Sequence, residues 1–321
     1  MCALQNKKKR PLNNPDISSE GKRFTNCIIM TANLPYIPYA EFVAWQLRRQ
    51  LKSDVQIFIA SADAMASDLK FDDATFLPID VEEFVANLPH NGRLGQYAYW
   101  CLPAISKLAE QFDRILYLDT DVVINGGNVE KLFEIDLLGA PIAAVRDVHQ
   151  SVRPDRTVLE FKKLGLPNAP YFNSGVFLID GPAFEQNGTM HEIEKITKAS
   201  PDAIHAHDQS LLNIVYYNNW LELSPLWNWQ YSMRNKILTP YLNVEIMHLA
   251  GSNKPWNDHG EALPSHVRQL YALYSGGQVN KTASDSDRIT LQAIFKHLRY
   301  QKNYKSWLAR FPDIFEGSLV A

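Results

Sequence analysis

The chain has 321 residues, 46 % of them hydrophobic, with 32 Lys and Arg against 35 Asp and Glu, for a formal net charge of -3 and a pI near 6.3. This length and apolar content can bury a full core and argue against a disordered chain, and the near-balanced charge offers no basic field for nucleic acid. Three cysteines, Cys2, Cys27 and Cys101, lack C-x-x-C spacing, which argues against a disulfide framework or a zinc site and fits a reducing compartment.

Residues 1–22 combine Lys7, Lys8, Lys9 and Arg10 with Asn, Pro and Ser, so they read as a mobile basic tail with no apolar signal core. No run of about 18 apolar residues is present, and the expectation is a cytosolic protein. Strands are predicted at 26–31, 55–60 and 75–79. Ala40, Val43, Ala44, Leu47 and Leu51 share one helical face between the first two. Alternating strands and helices predict an α/β fold with a mostly parallel central sheet flanked by helices. A helix over 95–107, interrupted by Pro103, leads to a strand at 115–118, and further strands are predicted at 142–145, 175–179 and 243–249. Asp208 to Tyr217 reads as a helix with Asp208 as its N-cap.

The strand Ile115 to Leu118 ends in Asp119 and Asp121. Open α/β sheets bind ligands at the carboxyl ends of their strands, and extended-chain alternation points both carboxylates to one side. Paired hard oxygens there suit Mg²⁺ or Mn²⁺ bridging to phosphates. His248 also closes a predicted strand, and Gly251 and Lys254 follow it. Glycine permits close backbone approach, and lysine supplies a point charge for phosphate. These five residues form a candidate site for a divalent metal and a diphosphate. No Walker loop or G-x-G-x-x-G helix start is present.

Five stretches in register resemble the retaining glycosyltransferases of family 8: MTANLPY (Met30 to Tyr36), ILYLDTDVVI (Ile115 to Ile124), YFNSGVFLI (Tyr171 to Ile179), HDQSLLN (His207 to Asn213) and HLAGSNKPW (His248 to Trp256). The resemblance covers residues 24–257 and implies a GT-A fold over 23–260, with a helical segment over 261–321. It implies that Asp119, Asp121 and His248 bind Mn²⁺ and that Gly251 and Lys254 contact the UDP diphosphate. Thr31, Asn33 and Tyr36 would line the uridine site, and Asn173, Asp208 and Gln209, with Asp147 beside them, would surround the transferred sugar. The implied reaction moves a hexose from a UDP-sugar to a hydroxyl of a glycan or glycolipid. The alternatives are a glycogenin-like self-glycosylating primer and a catalytically silent UDP-sugar-binding protein. Two positions depart from the family pattern. Tyr99 stands where members carry Arg or Lys, which implies either that Arg93 compensates or that the donor differs, and Ser210 stands where some members carry a carboxylate.

Beyond Trp256, a helix is predicted over 265–274 and a linker over 276–286. Residues 288–310 then contain six Lys/Arg and no Asp/Glu, with Leu291, Ile294, Phe295 and Leu298 at helical spacing and Trp307, Leu308 and Phe311 beyond. A basic amphipathic helix of this kind over 288–311 either lies on an anionic membrane or packs on the catalytic domain.

Overall fold

The computed structural model describes residues 23–86, 88–89, 95–126, 128–252, 254–257, 263–277 and 289–311. The predicted N-terminal tail, Arg93 and most of the predicted linker lie outside them. In chain order the elements are β1 (Phe24–Thr31), α1 (Ile37–Gln50), β2 (Gln56–Ser61), β3 (Thr75–Pro78), α2 (Glu82–Val85), α3 (Cys101–Ala109), β4 (Phe112–Leu118), β5 (Val122–Ile124) and β6 (Ile142–Arg146). They continue with α4 (Val148–Ser151), α5 (Leu159–Lys163), β7 (Phe172–Asp180), α6 (Gly181–Gln186), α7 (Thr189–Ala199), α8 (His207–Val215), β8 (Leu221–Glu222), β9 (Trp229–Gln230), β10 (Ile246–His248), α9 (Ser265–Ser275) and α10 (Leu291–Leu308).

Seven strands form the main sheet in the order β3-β2-β1-β4-β7-β6-β8. All its pairings are parallel except those of β7, which runs against both β4 and β6. The apolar runs lack alternation because both faces are covered. Ile28, Met30, Leu116 and Leu118 enter one core and Cys27, Ile29, Ile115 and Tyr117 the other. Pro103 is accommodated in the first turn of α3, where its missing N–H costs no helix bond.

A second sheet, β5-β10-β9, grows from the carboxyl end of β4. It was not foreseen from the sequence, because its strands have only two or three residues each. The helix predicted over 208–217 starts one residue earlier, so Asp208 lies inside its first turn and Ala206 is the N-cap. Asp208 is therefore freed from the capping role.

The C-terminal half of α10 packs into the same core as the sheet, through Tyr300, Tyr304, Trp307 and Leu308. Asn303 Nδ2 donates to Val152 O (2.7 Å), and Trp307 Nε1 donates to Glu222 Oε1 (3.2 Å). The first turns differ. Leu291, Phe295 and Leu298 are 74, 71 and 60 % exposed. Among the described residues, no helix is long and apolar enough to cross a membrane.

Candidate metal and nucleotide-sugar site

Backbone pairing assembles the acidic pair and the imidazole. The Asp119 N–H donates to Gly175 O on β7 (2.8 Å), and Asp121 O accepts the Leu249 N–H (3.0 Å). In the antiparallel ladder of β5 and β10, His248 lies opposite Val122, the residue after Asp121. As a result His248 Nε2 sits 3.2 Å from Asp121 Oδ1 and 3.5 Å from Asp119 Oδ2. One ligand atom from each of the three residues lies within 4.8 Å of the others. The sequence-predicted triad is brought together.

Three observations fit this cluster to a divalent ion. Asp121 Oδ1 is buried without a hydrogen-bond partner. Such an orphaned acceptor is costly unless a cation or water completes it. Second, His248 Nδ1 faces Asn228 Oδ1 (3.0 Å) and Asn173 Oδ1 (3.2 Å), which places a ring proton on Nδ1 and directs Nε2 at the acids. Third, Gly175 lies under the cluster. A Cβ there would stand 2.1 Å from His248 Cε1 and 2.8 Å from Asp119 Oδ2.

The electrostatics agree with a site built for positive charge. Enclosure and the neighbouring Asp121 charge raise Asp119 to about 6, while 40 % of its side chain stays open, leaving a face from which an ion can enter. Burial also opposes the charge on Asp121, but His248 and Lys254 outweigh it and hold this carboxyl well below its usual range. For His248, burial opposes protonation and the two carboxylates, Asp121 foremost, overcome it and raise the pKa. Lys254 Nζ donates to Asp121 Oδ2 and to Leu249 O. This buried lysine belongs to the cluster and neutralises the carboxylate there, whereas Gly251 is exposed with nothing near its α-carbon.

Asn228 was missed from the sequence. It is fully buried and donates Nδ2 to Asn173 Oδ1 (2.8 Å) while its own oxygen faces the imidazole. Asn228→Ala is expected to weaken Mn²⁺ binding by roughly 10- to 100-fold, because partners of this kind fix a ligating histidine. Paramagnetic titration of the purified protein measures this directly, and an unchanged affinity would remove Asn228 from the site.

Asn173 and Gln209 continue this network. Asn173 Nδ2 donates to Gln209 Oε1 (3.0 Å), which also accepts the Ser174 N–H (3.2 Å). Asn213, one turn further along α8, accepts the Phe172 N–H (2.8 Å) and donates to Phe172 O (2.9 Å), clamping the helix to β7. Burial, and secondarily the charge of Asp119, push the Asp208 carboxyl up to about 7. A raised carboxyl pKa leaves stability unaffected below the ordinary value near 4, lowers it as pH rises toward 7, and holds the penalty above that. Asp208→Asn is therefore expected to stabilise the metal-free protein by roughly 1–2 kcal/mol at pH 8 and not at pH 4, as read from urea midpoints.

Ser210 has a structural task. Its Oγ accepts the N–H groups of His205 (3.1 Å) and Ala206 (2.7 Å) and donates to Glu160 Oε1 (2.8 Å), which also accepts the Tyr171 hydroxyl (3.0 Å). Glu160 thus braces the start of β7 against the start of α8. Tyr99 is fully buried, donates to Pro89 O (2.9 Å) and packs edge-on against His207 with ring centroids 5.4 Å apart.

Thr31 Oγ1 lies 3.2 Å from the Tyr117 hydroxyl, which donates to Asp119 Oδ1 (3.0 Å), so Thr31 joins the cluster through Tyr117. The Asn33 carbonyl accepts the N–H groups of Tyr36 (2.8 Å) and Ile37 (3.2 Å), and the Asp63 carboxylate accepts the Leu34 N–H (2.5 Å), fixing this turn. Tyr36 is exposed, with its ring centroid 5.6 Å from Tyr39, and Tyr39 stacks on Trp256 at 3.5 Å. Asp147 caps α4 by accepting the His149 N–H (2.8 Å) and stands at the end of β6 without a bond to the acidic pair among the described residues.

The sequence profile of glycosyl transferase family 8 matches residues 27–260. Glycosyltransferase GlyF of Streptococcus pneumoniae is 31 % identical over 168 residues, which cover 50 % of this chain and only 38 % of that protein. The lipopolysaccharide 1,2-glucosyltransferase of Escherichia coli K12 is 27 % identical over 65 % of this chain and 63 % of its own length. Among solved structures, the galactosyltransferase LgtC in complex with donor and acceptor sugar analogues has a TM-score of 0.64 at 20 % identity, covering 81 % of this chain and 98 % of that one. That likeness gives the fold, a GT-A arrangement with a mostly parallel sheet. With a profile match over more than half its length, the chain belongs to glycosyl transferase family 8.

Proposed function

We propose that the protein is a metal-dependent hexosyltransferase that moves a hexose from a UDP-sugar to a hydroxyl of a glycan or glycolipid, with retention at the anomeric carbon. The meeting of Asp119, Asp121 and His248 at the carboxyl end of β4, beside a buried lysine, carries this reading. Relatives named as lipopolysaccharide glucosyl- and galactosyltransferases support the substrate class. The catalytic unit in this reading spans residues 23–260, followed by a helical segment over 261–321.

Asp119, Asp121 and His248 would hold Mn²⁺, with Mg²⁺ the alternative. Such an ion supplies positive charge against the phosphate oxygens of the leaving nucleotide. Lys254 has its ammonium already at Asp121 and adds a second positive charge there. Gly251 lets the backbone approach the diphosphate. Thr31, Asn33 and Tyr36 form the uridine side, where the exposed Tyr36 ring offers a flat face to the base.

On the sugar side, Asn173, Gln209 and Asp208 present oxygens to the electron-poor anomeric centre, with Asp147 at the edge. Gln209 holds its oxygen on Asn173 and Ser174 and is a poor nucleophile, which favours attack on the same face over a covalent enzyme intermediate. A glycosyl adduct trapped on Asp208 would overturn that route. A screen of UDP-sugars for Mn²⁺-dependent hydrolysis tests the whole reading and reports the donor without knowledge of the acceptor. Hydrolysis of at least one UDP-hexose is expected. Binding of UDP and Mn²⁺ without turnover would favour a silent binding protein.

The outward face of α10 adds an expectation about location. Leu291, Phe295 and Leu298 form an exposed stripe that continues into Lys302 and Lys305, an arrangement suited to the interface of an anionic membrane. In this reading the protein acts on the cytoplasmic side, peripherally attached. Replacing Leu291, Phe295 and Leu298 together by Gln is expected to lower sedimentation with anionic vesicles by roughly tenfold, in line with the apolar area removed. Equal sedimentation of this variant would exclude the helix as the anchor.

A further inference from the structure

A second concentration of charge lies outside the acidic cluster. Arg153 follows α4, Arg234 sits in the turn after β9, and Arg299 is on α10, yet all three guanidinium carbons lie near the single ring of Tyr300, at 5.5, 6.0 and 5.6 Å from its centroid. Arg153 Nη2 donates to the Tyr300 hydroxyl (2.6 Å). Arg156 lies on the same turn as Arg153, its N–H donating to Arg153 O (2.9 Å). Burial depresses the His149 pKa, Asp147 opposes this, and Arg234, Arg156 and Arg153 add to the depression. The Tyr300 hydroxyl is shifted down by its Arg153 bond, with Arg299 and Arg234 contributing.

No carboxylate is paired directly with these arginines: among the described residues, none of Arg153, Arg156, Arg234 and Arg299 has a carboxylate within 4.0 Å. The Asp147 carboxylate is engaged with the His149 N–H, and Asp155 is exposed on the same turn without an ion pair to these arginines. A tyrosine face offsets only part of the repulsion among three nearby cations. An anion removes the rest.

The elements that carry the arginines are tied to the strand beside His248. In the ladder of β9 and β10, Gln230 is paired with His248. The side chain of Gln230 accepts the Val148 N–H (2.9 Å) and donates to Arg146 O (3.1 Å), which anchors α4. Asn235 Nδ2 donates to Gln230 O (3.0 Å), and Asn235 Oδ1 accepts the Ser232 N–H (2.8 Å), which sets the turn bearing Arg234. The patch therefore sits at the end of the sheet where the proposed transfer site lies, on the β6–α4 side.

We infer that Arg153, Arg156, Arg234 and Arg299 form a subsite for a phosphate group carried by the acceptor. Guanidinium forks match the oxygens of a phosphate ester in pairs, a geometry that a lysine cluster would not supply. This deepens the proposed transfer reaction and rests on it for the identity of the ligand as acceptor.

Inorganic phosphate titrated into the full-length protein in the presence of Mg²⁺ or Mn²⁺ and excess UDP is the direct probe. The wild type is expected to bind it with an affinity that falls as salt rises, and the Arg153→Gln, Arg234→Gln, Arg299→Gln triple variant to lose roughly tenfold or more. Arg156→Gln with Arg234→Gln, an exposed and a half-exposed position whose guanidinium groups make no ion pair among the described residues, gives the same direction if the triple variant folds poorly. UDP affinity, measured on the same samples, is expected to stay unchanged. Its absence in the wild type would sink the nucleotide-sugar reading, and its persistence beside unaltered phosphate binding in the variants would sink the arginine subsite alone. Phosphatidylcholine vesicles containing phosphatidylglycerol form the second arm. If only vesicle binding falls in the variants and the wild type binds no phosphate, the arginines serve a lipid surface and the subsite is overturned.

Discussion

Gly175→Ala is expected to abolish tight divalent-metal binding while changing one hydrogen into a methyl group. The added carbon would stand 2.1 Å from His248 Cε1, well inside contact distance, with Asp119 Oδ2 at 2.8 Å on its other side. Neither neighbour is a free-swinging side chain. The imidazole is held by Asn173 and Asn228, and Asp119 by Tyr117. The ring must leave its bonds or β7 must bend, and overpacking of this kind costs roughly 1–3 kcal/mol. A displaced histidine ligand lowers affinity on the order of 100-fold. Mn²⁺ titration and thermal melts of the same preparation separate the two effects. Wild-type affinity in the variant would mean that the three side chains do not act as one metal centre.

The second large effect is expected at Asp121. Asp121→Asn removes a ligand and also the carboxylate that neutralises Lys254 and His248. Mn²⁺-dependent donor hydrolysis is expected to fall by roughly a thousandfold or more, the scale of losing charge stabilisation at a leaving group. The metal-free fold is expected to lose about 3 kcal/mol at pH 7, since a buried ammonium is left without its partner. The sign follows from the depressed pKa of Asp121. Its contribution is fully present above the ordinary carboxylate pKa, declines as pH falls below that value, and vanishes only once pH passes the depressed native-state value, so the gap between variant and wild type narrows steadily below about pH 4. Asp119→Asn offers the contrast. Its pKa is raised, so the metal-free variant is expected to be no less stable than wild type at pH 7 while losing turnover as severely. Equal destabilisation by both changes would contradict this division of roles.

The acidic pair was legible because an apolar run that stops at two carboxylates marks a strand end at a sheet's ligand-binding edge. Alternation reaches one residue further than it was taken. Tyr117 shares the side of Asp119 and Asp121 and does bond to Asp119. His248 was legible as the end of a strand and as part of a familiar stretch. The reason it meets the acids, the pairing of the two short strands β5 and β10, was not, because three residues carry too little periodicity. The reversal of β7 was hidden for another reason, since an apolar run reads alike in both directions. Asn228 gave no signal, because asparagine in an irregular segment is ordinarily turn chemistry. In α10 the spacing identified which residues share a face without saying what covers it. Tyr304 and Trp307 are buried in the domain core, and Leu291 and Phe295 face outward.

The pairing of β5 with β10 has a further consequence for how the protein is made. Asp119 and Asp121 leave the ribosome early, and Lys254, 133 positions beyond Asp121, follows only after the whole of the main sheet has been synthesised. A nascent chain halted before β10 carries the two acids without their imidazole and lysine. In the proposed reading, a complete metal site therefore reports that the middle and last thirds of the unit over 23–260 have docked.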